Sequence, residues 1–284
     1  MGDGAKSPSP SGEGLKVRQG LATAAAQLAP VSATPRLDAE LLMAYALGIT
    51  RERLLLAHLD DCVPPAFAGL VARRLTHEPV AYITGTRAFW TIELAVGPGA
   101  LIPRPDSETL IEAAVEHFVG RAPATILDLG TGPGTLLLAA LDQWPRATGL
   151  GVDRSREALA MARANAARLG SADRARFVEG DWAAGITGSF DLVLANPPYV
   201  GTREALPPEV CDHEPAAALY AGPDGLDAYR AIVPDLPRLV SPGGVAILEI
   251  GHEQAASVGA LVTETGRAWR LRCDLAGRSR AIVT

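Results

Sequence analysis

Apolar positions along this chain follow two different rhythms, and the change between them marks its organisation. From about Val17 to His77 they recur every three or four residues, the spacing of helices with one buried face. Leu37, Leu41, Ala44 and Leu47 form one such stripe. Thr34-Pro35 ahead of it offers an N-cap followed by proline at the first helical position, and Gly48 behind it offers a stop. Thr50 is placed to cap a second helix through Leu56. Pro64-Pro65 opens a third, with Phe67, Leu70, Val71 and Leu75 on its apolar face. Glu78-Pro79 ends it, because a residue before proline disfavours the helical region.

From Thr125 the rhythm becomes short β-rich runs alternating with helical stripes. Strands are predicted at Thr125–Leu129, Ala147–Val152, Arg176–Val178, Phe190–Ala195 and Val245–Ile250. Helices are predicted at Thr135–Gln143, Arg156–Leu169, Leu226–Leu239 and Glu253–Glu264, the third kinked or split by Pro234 and Pro237. Such alternation specifies an open, mostly parallel sheet with helices on both faces. The last two runs, Ala268–Cys273 and Ser279–Val283, have no helix between them and read as an antiparallel hairpin at the sheet edge.

Between the two regimes lies a β-rich connector. Ala88–Val96 is rich in β-formers, Gly97-Pro98-Gly99 is a turn, and Leu101-Ile102 is placed to return as a strand. A helix follows from about Ser107 to Phe118. The expectation is therefore an α/β fold with a mostly parallel seven-stranded sheet, a C-terminal antiparallel hairpin and a small helical N-terminal domain. Its parts are a tail at 1–16, a helical domain at 17–79, a β-hairpin connector at 80–105 and a cofactor-binding catalytic domain at 106–284.

Composition narrows the picture. With 48% apolar residues over 284 positions, the chain can bury a sizeable core. Its 26 basic and 32 acidic residues leave a net charge of -6, which argues against a protein that grips nucleic acid through its overall field. Cys62, Cys211 and Cys273 are odd in number and far apart, so no disulfide framework is expected. Cys211-Asp212-His213 has no second Cys/His pair to join it, and no metal site is expected. No apolar run reaches the roughly 18 residues that span a bilayer. Nine of the first fourteen residues are Gly, Ser or Pro, a flexible tail without the apolar core of a signal peptide. Cytoplasm is the expected compartment.

Candidate chemistry begins where the first strand of the alternating region ends, at Asp128-Leu129-Gly130-Thr131-Gly132-Pro133-Gly134. A strand running into a glycine turn and a helix lets backbone approach a ligand closely, beyond the carboxyl end of a sheet. A dinucleotide fingerprint needs G-x-G-x-x-G. Here the glycines stand at 130, 132 and 134, and the loop resembles the G-x-G-x-G turn of class I methyltransferases instead. Asp153 ends the next strand, where an acid accepts hydrogen bonds from ribose hydroxyls. Its alternative role is to cap the helix that starts near Arg156. Asp181-Trp182 ends the third strand, positioned to bond an adenine amino group and to lie on or against the ring. The alternative for Trp182 is a core side chain under a loop.

The fourth strand ends in Asn196-Pro197-Pro198-Tyr199. Two prolines stop sheet pairing and leave the Asn side chain and backbone carbonyls facing outward. A planar NH2 group carries two donors, which the Asn196 side-chain oxygen and the Pro197 carbonyl can each accept. An amide nitrogen is a poor nucleophile because its lone pair is delocalised. Two acceptors that favour a tetrahedral nitrogen and aim its lone pair are the catalysis such a group needs. Tyr199 is expected to wall the planar group.

With these residues in view, the chain resembles the peptide chain release factor glutamine methyltransferases, the PrmC/HemK family. The resemblance runs through Glu78-Pro79-Val80-Ala81-Tyr82-Ile83-Thr84-Gly85, Leu101-Ile102-Pro103-Arg104-Pro105-Asp106-Ser107-Glu108, the glycine loop and Asn196-Pro197-Pro198-Tyr199. It continues in Gly225-Leu226-Asp227-Ala228-Tyr229-Arg230, Gly243-Gly244 and Glu249-Ile250-Gly251. The Asn-Pro-Pro-Tyr tetrapeptide is shared with DNA adenine and RNA guanine methyltransferases, whereas the Ile-Pro-Arg-Pro segment is more selective.

The resemblance implies a class I methyltransferase fold and S-adenosyl-L-methionine as cofactor. It implies methylation of the glutamine in the Gly-Gly-Gln loop of peptide chain release factors, with the helical domain helping to recognise the factor. By motif, Gly130, Thr131, Gly132, Pro133, Gly134, Asp153, Asp181, Trp182 and Asn196 would meet the cofactor. Asn196, Pro197, Pro198 and Tyr199 would hold the glutamine amide. Leu101 and Arg104 would border the substrate cleft, with a structural ion pair as the other reading of Arg104.

Two features depart from the family's pattern. Pro133 removes one backbone donor from the glycine loop, and Tyr220-Ala221-Gly222-Pro223 stands where a Gly-Gly turn is usual. Release factors are the expected partners. A monomer is expected, without membrane attachment or stable nucleic-acid binding. A nucleic-acid amino methyltransferase is the rival enzyme and would need a basic surface or base-stacking aromatics. A non-catalytic cofactor-binding module would lack Asn196 or the prolines.

Overall fold

The computed structural model describes residues 14–284. Residues 1–13 of the expected tail lie outside the described residues. Its last two residues do not behave as a tail. Lys16 forms an antiparallel bridge with Cys62, and the Val63 N–H donates to the Leu15 carbonyl at 2.9 Å. The chain divides into two units, the first ending at Thr84 and the second spanning Gly85–Thr284.

The first unit is helical, with α1 (Val17–Leu28), α2 (Pro35–Leu47), α3 (Arg51–Ala57), α4 (Phe67–Leu75) and α5 (Val80–Thr84). Most of the expected punctuation is present, although the Thr34 side chain makes no capping bond and donates to Asp38 instead. Pro35 opens α2, Gly48 closes it in the left-handed conformation, and Thr50 Oγ1 accepts the Arg53 N–H at the start of α3. Leu21, Leu28, Leu42, Met43 and Leu54 form a sealed core. A buried ion pair between Asp38 and Arg74, 2.8 Å apart, ties α2 to α4.

Two details correct the sequence reading. Helix α4 starts at Phe67, later than Pro64-Pro65 suggests, and it ends at Leu75. Pro79 leads into a helix as well as following one, because its carbonyl accepts the N–H groups of Tyr82 and Ile83. Ile83 packs into the helical core, so the boundary falls between Thr84 and Gly85 and not before Val80.

The second unit opens with a hairpin of β1 (Thr86–Phe89) and β2 (Ile92–Ala95), paired antiparallel. It turns at Trp90, whose φ is 54° and whose N–H donates to Glu108 Oε1 at 2.8 Å. The expected return strand at Leu101-Ile102 does not form. The Ile102 N–H is taken by the Glu214 carboxylate at 3.0 Å, which removes the donor a ladder would need.

A 3-10 turn at Pro105–Ser107 leads into α6 (Glu108–His117). The alternating region then gives β3 (Thr125–Leu129), α7 (Thr135–Gln143), β4 (Thr148–Asp153), α8 (Arg156–Arg168), β5 (Ala175–Glu179) and β6 (Phe190–Ala195). After a long loop come the short helices α9 (Pro208–Cys211), α10 (Asp227–Ile232) and α11 (Leu236–Leu239). Pro234 and Pro237 divide the helix predicted over 226–239, as their missing N–H groups require. β7 (Val240–Glu249), α12 (Ala255–Glu264), β8 (Arg270–Cys273) and β9 (Ser279–Val283) complete the unit.

The seven-stranded sheet has the order β5-β4-β3-β6-β7-β9-β8. Pairing is parallel through β7 and antiparallel at β9 and β8. This is the class I methyltransferase fold. From β3 the chain runs outward to β4 and β5, then returns to place β6 on the other side. That reversal between β3 and β6 is the switch point at which open α/β sheets bind ligands.

Candidate active site

A cavity of about 490 Å³ opens at the carboxyl ends of these strands, a size suited to a small-molecule cofactor. The glycine loop forms one wall. Gly130, Gly132 and Gly134 have φ of 73°, 55° and 88°, a region that disfavours side chains. Their surroundings differ. A Cβ on Gly130 would lie 3.1 Å from the Trp182 ring, and one on Gly134 would lie 2.8 Å from Leu138, whereas a Cβ on Gly132 would meet nothing.

Gly130 and Gly132 line the cavity; Thr131, Pro133 and Gly134 support the turn. Thr131 Oγ1 donates to Asp128 Oδ2 at 2.6 Å, and the Pro133 carbonyl accepts from Asn165 Nδ2 at 3.0 Å. Asp128 is fully buried, which pushes its carboxyl up to about 7 despite hydrogen bonds from Thr131 and Leu137. Its Oδ1 has no partner among the described residues.

Asp153 stands at the end of β4 and lines the cavity. Its Oδ2 accepts the Gly132 N–H and its Oδ1 the Ser155 N–H, both at 2.8 Å. The cap of α8 is Ser155, whose Oγ accepts the Ala158 N–H. Asp153 therefore ties the glycine loop to the next turn and keeps free lone pairs for hydroxyl groups. Asp181 and Trp182 also line the cavity, and Trp182 holds a φ of 50° with its ring edge behind Gly130.

Asn196 and Pro198 line the cavity from the end of β6. Asn196 Nδ2 donates to Ser107 Oγ at 3.1 Å. Pro197 and Tyr199 are not among the lining residues. Tyr199 packs against the sheet core, its carbonyl accepts from Gln254 Nε2 at 2.9 Å, and burial pushes its hydroxyl up to about 12. Leu101 lines the cavity beside Gly99 and Ala100.

Arg104 does not line the cavity. It pairs with Glu214, whose side chain is 1% exposed. Because Glu214 also accepts the Ile102 N–H, one buried carboxylate joins the 99–104 segment to the loop after β6. That loop supplies Pro215, Ala217, Ala218 and Tyr220 to the cavity wall, and Arg154 donates to the Ala217 carbonyl at 3.1 Å.

Sequence reasoning missed Glu157 and Asp227, which line the cavity, and Glu214, Ser107 and Glu249, which surround it. No short spacing marks them, and only the family-like segments containing Ser107, Asp227 and Glu249 pointed to their neighbourhood. The lining carries Asp153, Glu157, Asp181 and Asp227 against one base, Arg154. Such a balance favours a ligand with net positive charge. Among the described residues no group of acids, histidines and cysteines is arranged to hold a metal ion, and no helix is long and apolar enough to cross a membrane.

Comparison with known proteins places both units of the chain among related sequences. Residues 19–85 match the family model described as PrmC N-terminal domain, and residues 122–274 match one described as methyltransferase domain. The chain is 44% identical over 256 residues to the release factor glutamine methyltransferase of Rhodospirillum rubrum, covering 88% of this chain and 78% of that one. It is 40% identical over 279 residues to that of Moorella thermoacetica, covering 95% and 98%. Among solved structures, a methyltransferase from Pyrococcus furiosus superposes with a TM-score of 0.53 at 17% identity, covering 76% of this chain and 97% of that one.

Proposed function

Because the chain belongs to the release factor glutamine methyltransferase family, we propose that it methylates the side-chain amide nitrogen of the glutamine in the Gly-Gly-Gln motif of peptide chain release factors, using S-adenosyl-L-methionine. The observation that carries this reading is a cavity at the sheet's switch point with Asp153 on one side and Asn196 on the other. Its four acids and single base suit a cofactor that carries a sulfonium and an ammonium against one carboxylate.

On the cofactor side, Asp153 is fixed by two backbone donors and receives the ribose hydroxyls on its remaining lone pairs. Asp181 accepts from the adenine amino group, and Trp182 stands against the ring. Gly132 lets the backbone approach, and the open space at its Cβ position belongs to the ligand. Pro133 removes no donor that the cavity uses, since its residue does not line the wall. When bound, the cofactor supplies a methyl group on a positively charged sulfur.

On the amide side, Asn196 Oδ1 and the Pro197 carbonyl accept the two amide N–H groups. They orient the nitrogen and favour its tetrahedral form, so the attacking lone pair is freed from the carbonyl. The surplus proton leaves after attack, and no strong base is needed beside the nitrogen. Arg104 acts through its pair with Glu214, holding Leu101 and the loop after β6 around the cleft.

Incubation with methyl-labelled S-adenosyl-L-methionine and purified release factor tests the reading. Label is expected on the factor, lost when the Gly-Gly-Gln glutamine is changed to alanine. Label on tRNA or rRNA, with none on the factor, would overturn it in favour of a nucleic-acid amino group.

A further inference from the structure

The two ends of an asparagine side-chain amide are almost the same shape, yet only one of them suits the proposed reaction. An oxygen facing the substrate NH2 accepts from it; a nitrogen facing it sets donor against donor. Something must decide which end of Asn196 faces the cleft. The neighbours of Asn196 contain that decision.

Ser107, 2% exposed, receives Asn196 Nδ2 at 3.1 Å. The same hydroxyl hydrogen-bonds the carboxyl of Glu249, which is 1% exposed at the end of β7. A serine hydroxyl has one proton, and the Glu249 carboxyl, once ionised above about pH 7, has none to give. The Ser107 proton therefore points to Glu249, and its oxygen is left with lone pairs alone toward Asn196. Only the NH2 end of Asn196 can meet them.

We infer that Ser107 and Glu249 are positioning residues that fix the Asn196 amide with Oδ1 toward the substrate nitrogen. The inference rests on the proposed methyl transfer and deepens it. Glu249 has no other evident use. It does not itself line the cavity, and its Oε2 has no hydrogen-bond partner among the described residues. Burying such a group is costly unless its position is needed. The groups around it are Arg104, Asp106, Tyr199, Tyr229 and Arg280. Arg280 is itself occupied by Asp106 and Asp274, each at 3.0 Å. Tyr229 bonds the Glu249 backbone carbonyl at 2.8 Å and leaves the carboxyl alone.

A double-mutant cycle on the full-length protein tests this. Ser107→Ala is expected to lower kcat for release-factor methylation by about tenfold or more, the effect of one misdirected hydrogen bond, with cofactor Kd unchanged within about twofold. In an Asn196→Ala background the same change is expected to leave kcat unaltered, because its route to the reaction is gone. Glu249→Met, which removes the acceptor and keeps the length, is expected to behave like Ser107→Ala in both backgrounds, with circular dichroism reporting that each variant is folded. Losses that multiply in the double variants, or a wild-type kcat in Ser107→Ala, overturn the inference and leave the methyl-transfer reading standing. A wild-type protein that labels no release factor overturns both.

Discussion

The two sides of the cavity are held by different kinds of contact. On the cofactor side the partners are close in sequence. Asp128 is bonded by Thr131, three residues on, and by the Leu137 N–H, nine residues on. Asp153 receives Ser155, two residues on, and Gly132, 21 residues back across one strand-helix-strand unit. On the amide side the partners are remote. Ser107 and Asn196 are 89 residues apart, Arg104 and Glu214 110, and Ile102 and Glu214 112. A site made of local contacts is carried by a short stretch of chain, whereas one made of remote contacts exists only once the whole sheet has formed.

The largest expected effect separates the two sides by their role. Asn196→Ala removes an acceptor whose hydrogen bond strengthens as the amide nitrogen becomes tetrahedral. Turnover is expected to fall by about 10²–10³-fold, the scale of losing one electrostatic stabiliser of a transition state. Cofactor affinity, measured by calorimetry, should stay within about threefold. Equal losses in kcat and affinity would merge the two sides into one. Asp153→Ala is the reciprocal experiment. Hydroxyl hydrogen bonds to a charged acceptor are lost, so cofactor Kd should weaken by at least about 10–100-fold, since one such bond corresponds to roughly 1.5–3 kcal/mol. Turnover at saturating cofactor should remain near wild type.

The same contrast explains what could be read from the sequence. The glycine loop and Asp153 are legible because their geometry is local: a positive φ favours glycine at 132, and a strand end places the acid. The strand-helix alternation is legible for the same reason, down to the split at Pro234 and Pro237. Two misreadings came from competition at a distance. Ile102 has the apolar character of a strand residue, but Glu214 claims its N–H across 112 residues. Trp90-Thr91 carries no common turn signal, yet the hairpin turns there because Glu108 binds the Trp90 N–H. Tyr199 has the right place in its motif and a different surrounding, since Gly251 and the β7 end offer it a packed berth.

Both sides bury one carboxyl pushed up to about 7, Asp128 and Glu249, in each case mainly by desolvation. In an unfolded chain the same groups titrate near 4. Between about pH 4 and 7 the native protein therefore holds protons that the unfolded chain has released, and stability falls as pH rises. Each group contributes a slope of about 1.4 kcal/mol per pH unit. Below pH 4 both states are protonated and the slope vanishes; above 7 the cost is complete. Asp128→Asn should flatten the profile between pH 5 and 7 by one group's share, leaving that of Glu249. Urea unfolding at pH 5, 6 and 7 measures it, and an unchanged slope would mean that Asp128 is ionised throughout.

The smallest expected effect tests whether the remote clasp works through charge or through backbone. Glu214 faces Arg104 with one oxygen and the Ile102 N–H with the other. The Arg104 side chain is 35% exposed, so water already screens its share of the pair. Glu214→Gln keeps an oxygen for Ile102 and gives up only the charge, and should lower stability by about 0.5–1 kcal/mol. Glu214→Ala also strands the Ile102 N–H, and should cost about 1–3 kcal/mol together with a higher KM for the cofactor, since the wall from Pro215 to Tyr220 loses its anchor. Thermal melts of the two variants side by side give the answer. A Gln variant as unstable as the Ala variant would make the ion pair the main tie, and the clasp, with the cavity wall it anchors, would then weaken with added salt.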